Sequence, residues 1–128
     1  MKVIVVQSIS QALEMIEKKI REVFPLLDNV IYESNFEKTL QIIPTEEEIV
    51  VITSDMFHDD KDELFERQEK DGSKLAEEIK KINPKAKVYV FSTYEPRPEY
   101  IDGFYHKIQG GDNTGNEIIK IFMDLKLY

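Results

Sequence analysis

The sequence predicts an α/β domain in which helices cover both faces of a parallel β-sheet. The first observation is a set of short apolar runs, such as residues 3–6 and 49–52, that are rich in β-branched side chains. Such uniform runs are typical of strands that are buried on both faces. The second observation is that segments with apolar residues at helical spacing separate these runs. Buried strands that alternate with helices form parallel sheets, because each helix carries the chain back across the sheet.

Five strands are predicted, at residues 3–6, 30–32, 49–52, 88–91 and 104–107. The first strand is followed by apolar residues at helical spacing, whose side chains we expect to face the core. These residues are Leu13, Ile16, Ile20, Val23 and Phe24.

Capping boxes predict where three of the helices begin. In a capping box, a Ser or Thr hydroxyl and a Gln or Glu side chain three residues later satisfy N–H groups of the first helical turn. Ser8 with Gln11 has this spacing, and so do Ser34 with Glu37 and Thr114 with Glu117. We therefore expect helices to begin at Ser8, Ser34 and Thr114.

The whole chain, residues 1–128, has the length of one domain. Five strands in this length fit a flavodoxin-like, doubly wound fold with the strand order 2-1-3-4-5, in which sites lie at the carboxyl ends of the strands. The fourth helix is expected to be shortened. Only residues 93–103 separate the fourth and fifth strands, and Pro96 and Pro98 prevent a regular helix across them.

Composition narrows the classes of function. A net charge of -8 argues against nonspecific binding to nucleic acid or membrane surfaces, because their phosphates would be repelled. The sequence has no cysteine, and His58 and His106 are its only histidines, so a site built from thiolates or several imidazoles is not expected. There is neither a signal-peptide pattern nor an apolar run of about 20 residues that would span a membrane. We expect a cytoplasmic protein.

Polar residues follow several of the predicted strands at the carboxyl edge. Gln7 and Ser8 follow the first strand, Asp55 comes soon after the third, Ser92 follows the fourth and Lys107 ends the fifth. An acid, a hydroxyl and an amine that meet at one edge can bind a phosphoryl group, and an aspartate can accept that group covalently. Each of these residues also has a plainer interpretation as a solvated or backbone-bonded polar residue.

The chain resembles the receiver domain of bacterial response regulators in the order of nearly all its elements. The likeness is clearest at residues 71–93, DGSKLAEEIKKINPKAKVYVFST, which resemble the receiver's Asp-Gly turn, third helix and fourth strand. Residues 103–107, GFYHK, resemble its fifth strand, which ends in a phosphate-contacting lysine. The resemblance implies that Lys107 is this lysine, that Ser92 is the switch hydroxyl and that Phe104 is the switch aromatic residue.

The resemblance also exposes a departure at the metal site. Receivers carry an acidic pair after the first strand that holds Mg²⁺, and the matching residues here are Gln7 and Ser8. Both are neutral, which weakens the anionic oxygen site that a hard cation prefers. Mg²⁺ offsets phosphate charge during transfer, so conventional phosphotransfer is expected to be impaired. No cofactor is therefore expected, unless the receiver is active and Asp55 binds Mg²⁺.

Two alignments of the third strand are open for the phosphoacceptor position. If the strand ends like the others, Thr53 takes this position, and a threonine cannot form an acyl phosphate. If the strand continues two residues further, Asp55 takes it. The alternative for Asp55 is a cap or a solvated loop acid.

Two segments beside the expected site also depart from receivers. The segment 56–70 is longer than the matching receiver loop, and residues 55–71 carry -5 of the net charge of -8. A solvated surface insertion is favoured here over a metal site. In the short segment before the fifth strand, Tyr94, Arg97 and Tyr100 are candidates for an interaction surface, since Tyr and Arg are common interface anchors. Tyr100 has an alternative role, which is favoured slightly: filling the space left by the shortened helix.

The sequence therefore predicts a stand-alone receiver-like (pseudo-receiver) module of two-component signal transduction that is not an enzyme. It would bind a protein partner, such as a histidine kinase or a downstream effector, as a monomer or a homodimer. One alternative is an active receiver phosphorylated on Asp55. Another is a flavodoxin-like protein that binds a nucleotide or flavin, for which the signal is weak, because the loop after the first strand has no glycine.

Overall fold

The computed structural model describes residues 1–55, 57, 71–108 and 114–128. The strands are β1 (Lys2–Val6), β2 (Val30–Glu33), β3 (Ile49–Thr53), β4 (Lys87–Ser92) and β5 (Gly103–His106). The helices are α1 (Ser10–Val23), α2 (Phe36–Gln41), α3 (Gly72–Ile82) and α4 (Thr114–Asp124). Among the described residues, none of these helices combines the length and apolar character that crossing a membrane would require.

The five strands form one parallel sheet in the order β2-β1-β3-β4-β5. This arrangement confirms the predicted doubly wound fold. The helix expected in shortened form between β4 and β5 is absent. Residues 93–102, all of which are described, contain bends and turns but no helix. Pro96 and Pro98 account for this, because proline lacks the N–H that a helix interior requires.

Two apolar clusters cover the two faces of the sheet. Helices α1 and α4 pack on one face, where Ile16, Ile20 and Phe122 are almost fully buried against alternate residues of the central strands. Helices α2 and α3 cover the other face, and Phe57 joins them there with its ring edge-on to Phe36 at 5.3 Å. The central strands β1 and β3 are buried on both sides, as their uniform apolar sequence predicts, whereas the edge strands β2 and β5 are only partly buried.

Two of the three predicted capping boxes are wrong, whereas α4 begins at Thr114, as the third predicts. Helix α1 begins at Ser10, its cap residue is Ile9, and no side chain caps it. Helix α2 begins at Phe36, and the Asn35 side chain accepts a hydrogen bond from Lys38 N at 2.9 Å. A carboxylate oxygen of Glu33 accepts from Ser34 N and Asn35 N, so the chain enters α2 one residue later than predicted.

The prediction for the inward face of α1 also needs one correction. Leu13 and Phe24 are partly buried against the core, in keeping with the helical spacing. Val23, the last residue of the helix, is instead 41% exposed. The core-facing stripe therefore runs through Leu13, Ile16, Ile20 and Phe24, and Val23 lies outside it.

Candidate functional site

The carboxyl ends of β1, β3, β4 and β5 surround an open pocket of about 180 Å³. The pocket is lined by Gln7, Ser8, Ile9, Ser54, Asp55, Phe91, Ser92, Thr93, Tyr94 and Lys107. Parallel register brings these residues together, because Val6 pairs with Thr53, Thr53 with Val90 and Ser92 with His106. The structure therefore collects most of the residues predicted for the carboxyl edge into one concave site.

Thr53 and Asp55 differ in their access to the pocket. Thr53 is 1% exposed, and its hydroxyl donates a hydrogen bond to the backbone oxygen of Ser54 at 2.9 Å. Asp55 lies two residues beyond it and lines the pocket. The geometry thus places a carboxylate in the pocket and directs the Thr53 hydroxyl to the backbone.

The Asp55 carboxylate lies close to the start of α3. Gly72 N donates to the backbone oxygen of Asp55 at 2.7 Å and is 3.3 Å from its Oδ1. Burial raises the pKa of Asp55 above its usual value, and the negative charge of Asp71 raises it further. The Gly72 N–H and the positive charge of Arg97 act in the opposite direction and do not compensate fully. Asp55 is therefore a half-buried carboxylate whose charge is incompletely balanced.

The two residues after β1 supply amide and hydroxyl groups to the pocket. Gln7 is only 4% exposed, and its Oε1 accepts a hydrogen bond from Ile9 N at 3.3 Å. Ser8 N lies 3.4 Å from the hydroxyl oxygen of Ser54. The side-chain oxygen of Gln7 is thus already hydrogen-bonded to the backbone N–H of Ile9.

The described residues that line the pocket offer few ligands for Mg²⁺. Among the described residues that line it, Asp55 supplies the only carboxylate. The described residues as a whole contain no group of three or more His, Cys, Asp or Glu side chains arranged for a metal ion. Mg²⁺ prefers carboxylate oxygens in a strict octahedral shell, and a single half-buried carboxylate beside an engaged amide provides little of this.

The residues on the β4 and β5 side of the pocket are already in contact with neighbours. The Ser92 hydroxyl donates a hydrogen bond to the backbone oxygen of Tyr94. Lys107 Nζ lies 5.9 Å from the ring centroid of Phe91. Phe104 is half-buried and does not line the pocket; its ring lies 6.2 Å from that of His106. The pocket therefore contains Ser92 and Lys107 but not Phe104.

The segment between β4 and β5 lies against the start of α3. An Arg97 Nη2 atom is 3.3 and 3.4 Å from the two carboxylate oxygens of Asp71, and the Ser73 hydroxyl donates to Arg97 O at 2.9 Å. Asp71 also caps α3 by accepting from Lys74 N at 2.7 Å. Sequence reasoning missed this arrangement. Arg97 is 26 residues from Asp71, and no local pattern signals such a contact.

The interaction-surface candidates in this segment are exposed. Tyr94 is 69% exposed and Tyr100 is 51% exposed, the latter at a positive φ of 68°. The favoured expectation that Tyr100 fills the space of the missing helix is therefore wrong. Ile101 packs against the α2–α3 cluster instead. The insertion 56–70 lies outside the described residues apart from Phe57, and so does His58.

Comparisons with known proteins identify the fold. No protein-family model matches the sequence, and no curated protein matches it. The response regulator RcsB of Salmonella typhimurium superposes with a TM-score of 0.65 at 20% identity, over 99% of this chain and 60% of the RcsB chain. The chain thus spans less than two thirds of that protein.

Two further solved structures give the same result. TrrA of Thermotoga maritima, solved with Mg²⁺ and beryllofluoride, has a TM-score of 0.64 and 19% identity over 94% of this chain and 99% of its own. The NarL receiver domain of Mycobacterium tuberculosis has a TM-score of 0.61 and 16% identity over 97% and 94%. The chain has the fold of response regulator receiver domains, as its sequence resemblance predicts.

Proposed function

We propose that this chain is a receiver-like signalling module that acts by binding a protein partner, with impaired Mg²⁺-dependent phosphotransfer to Asp55. The observation that supports this proposal is the set of residues that line the pocket. It contains Asp55, Ser92 and Lys107, but Gln7 and Ser8 occupy the places where the resemblance expects an acidic pair. In this proposal the chain is a binding module and not an enzyme.

Charge explains why phosphotransfer would be impaired. Attack by the Asp55 carboxylate on a phosphoryl donor brings two anions together, and a bound metal normally offsets this repulsion. The pocket has one described carboxylate, and the Gln7 carbonyl oxygen already accepts from Ile9 N. Neutral ligands of this kind support weak Mg²⁺ binding at best.

The exposed tyrosines support the proposal of a protein partner. Tyr94 lines the Asp55 pocket while most of its surface remains exposed, and Tyr100 lies six residues further along the same segment. Tyrosine and arginine contribute strongly to protein interfaces, and Arg97 lies between the two rings. A histidine kinase or a downstream effector would fit such a surface, with the module acting as a monomer or a homodimer.

An active receiver is the second candidate, and the position of Asp55 favours it. Asp55, and not Thr53, reaches the pocket, so the carboxylate needed for an acyl phosphate is available. In this alternative, Mg²⁺ would bind Asp55 together with other oxygen ligands. The two candidates differ in whether the pocket responds to Mg²⁺ and to an acyl-phosphate mimic.

The deciding experiment is an NMR titration with Mg²⁺ followed by beryllofluoride, which mimics an acyl phosphate. The proposal expects no saturable shifts at Asp55, Ser92 or Lys107. Shifts that cluster at these residues, and that disappear in Asp55→Asn, would establish the active receiver instead. The binding module would be supported by a partner protein that binds this chain without Mg²⁺ or beryllofluoride, and whose binding is lost in the Tyr94→Ala variant.

A further inference from the structure

The two edge strands of the sheet differ in how they are protected. Strand β5, Gly103–His106, contains no acidic residue, lysine, arginine or proline. Strand β2, Val30–Glu33, ends in a glutamate, and the Arg21 guanidinium lies 5.9 Å from the ring centroid of Tyr32. Charged side chains and prolines protect sheet edges, because an unprotected edge pairs readily with another strand. By this criterion β5 is the less protected edge.

The backbone of β5 has N–H groups that point away from the sheet. Lys107 N donates to Ser92 O at 2.7 Å, and a parallel strand bonds to one neighbour through every second residue. The N–H of Tyr105 therefore faces β4, whereas the N–H groups of Phe104 and His106 point outwards. Among the described residues, no other group accepts from these two N–H groups.

The side chains of Phe104 and His106 lie on the face that the missing helix would cover. Tyr105 packs against the α1–α4 cluster, so its two neighbours in the strand point to the opposite face. A right-handed crossover from β4 to β5 would place a helix on that face, as α3 is placed between β3 and β4. Residues 93–102 form no helix, however.

Phe104 is an apolar side chain without a place in either core cluster. It is half-buried, and the described residues that form the two clusters do not include it. Its ring lies edge-on to that of His106, with the centroids 6.2 Å apart. The open edge of the backbone and an aromatic pair thus occur at the same two residues.

We propose that β5 is a self-pairing edge, through which two copies of this chain join their sheets by antiparallel β5–β5 pairing. A two-fold axis that passes between the two Tyr105 residues pairs Phe104 of each copy with His106 of the other. In an antiparallel ladder such a pair exchanges two hydrogen bonds, so this register satisfies every outward N–H group of the strand.

The side chains are also complementary to themselves in this register. Phe104 of one copy meets His106 of the other, and aromatic cross-strand pairs stabilise a sheet. On the opposite face, Lys120 and Asp124 are one turn apart on α4 and border the groove beside Tyr105. Rotation about the axis brings the lysine of each copy towards the aspartate of the other. Charge complementarity therefore favours a second copy of this chain as the occupant of the edge.

This inference goes beyond the proposed function. It gives a geometry to the homodimer and requires neither the Asp55 pocket nor the exposed Tyr94. Its test uses no Mg²⁺, beryllofluoride or partner protein. Failure of the dimer would therefore leave the proposed function untouched, and failure of the proposed function would leave the dimer untouched.

The test is amide hydrogen exchange of the wild type at a series of concentrations, with analytical ultracentrifugation of the same samples. Exchange at Phe104 and His106 should slow at least about tenfold as the dimer forms. Tyr105 is the internal reference, because its N–H faces β4 in monomer and dimer alike, and its exchange should change much less. A chain that stays monomeric at the highest concentration, or a dimer with unchanged exchange at Phe104 and His106, would overturn the proposal.

A pair of substitutions at one position separates the backbone contribution from that of the side chain. His106→Pro removes an outward donor from each copy and leaves the bond from Lys107 N to Ser92 O in place. It should weaken dimerisation about tenfold, the scale of two lost backbone hydrogen bonds per dimer. His106→Ala is the matched control, since it keeps the N–H group and should weaken dimerisation clearly less. Equal losses in the two variants would contradict edge pairing, and the exchange test of the wild type decides even if His106→Pro does not fold.

Discussion

Two aspartates at opposite edges of the sheet have contrasting environments. Asp102, at the amino edge before β5, accepts hydrogen bonds from Val88 N and from Lys80 Nζ, each at 2.7 Å. Asp55, at the carboxyl edge, has the Gly72 N–H 3.3 Å from its Oδ1 and lies near the like charge of Asp71. Within the described residues, the first carboxylate has a backbone donor and a lysine donor, whereas the second has one backbone donor.

Asp102 and Asp55 differ in what they contribute to the pairing of the strands. Asp102 holds the start of β5 against β4, and its backbone N–H also donates to Val88 O at 2.7 Å. Asp55 makes no comparable contribution to strand pairing. A half-buried carboxylate with a raised pKa costs stability when it is charged, and the proposed function assigns this carboxylate to ligand binding.

The largest expected effect follows from removing the satisfied carboxylate. Asp102→Ala leaves Val88 N–H and Lys80 without this acceptor, and should lower the free energy of unfolding by about 1–3 kcal/mol. Asp102→Asn is the matched control, because it retains an oxygen for Val88 N–H and should cost less. Urea denaturation of the three proteins measures the difference. Equal stability of Asp102→Ala and wild type would contradict the structural role of Asp102.

A smaller effect of opposite sign is expected at the carboxyl edge. Asp55→Asn removes the poorly balanced charge and should raise the free energy of unfolding at pH 7 by about 0.5 kcal/mol. Because the pKa of Asp55 is raised in the folded state, its charge costs stability as the pH rises through that pKa. The advantage of Asp55→Asn should therefore decrease as the pH falls toward 3.8, the usual pKa of the group.

Thermal or urea unfolding of wild type and Asp55→Asn at a series of pH values checks this prediction. The other carboxyl groups titrate in both proteins, so their contributions largely cancel in the difference. A variant that is less stable than wild type at pH 7 would show that Asp55 is structurally compensated after all.

The sequence was sufficient for the fold because its signals are local and repeated. Apolar runs mark the first four strands, the resemblance to receiver domains marks the fifth, and helical spacing marks most of the segments between them. Helix starts were less predictable. Ser34 has the spacing of a capping residue, but Glu33 satisfies the N–H groups of Ser34 and Asn35, and the Asn35 side chain caps α2. Competing local hydrogen bonds of this kind are not resolved by residue type alone.

The sequence predicted which strands supply residues to the site, but not the contacts that these residues make. Parallel strands bring Gln7, Ser92 and Lys107 to one edge, and the pocket contains all three. The apolar run of β3 does not reveal where the chain leaves the sheet, so it could not show that Asp55 lines the pocket while the Thr53 hydroxyl bonds the backbone. The contact between Arg97 and Asp71 joins segments 26 residues apart, and it depends on the absence of a helix after β4.

The proposed function requires that Gln7 and Ser8, the two neutral residues after β1, weaken metal binding in the Asp55 pocket. The most direct measurement is an NMR titration with Mg²⁺ of the wild type and of the double variant Gln7→Asp, Ser8→Asp. We expect no saturable shifts in the wild type, and shifts centred on Asp55 in the variant, because three carboxylates would then face the ion. A wild type that binds Mg²⁺ as tightly as the variant, or a folded variant that remains silent, would contradict the account.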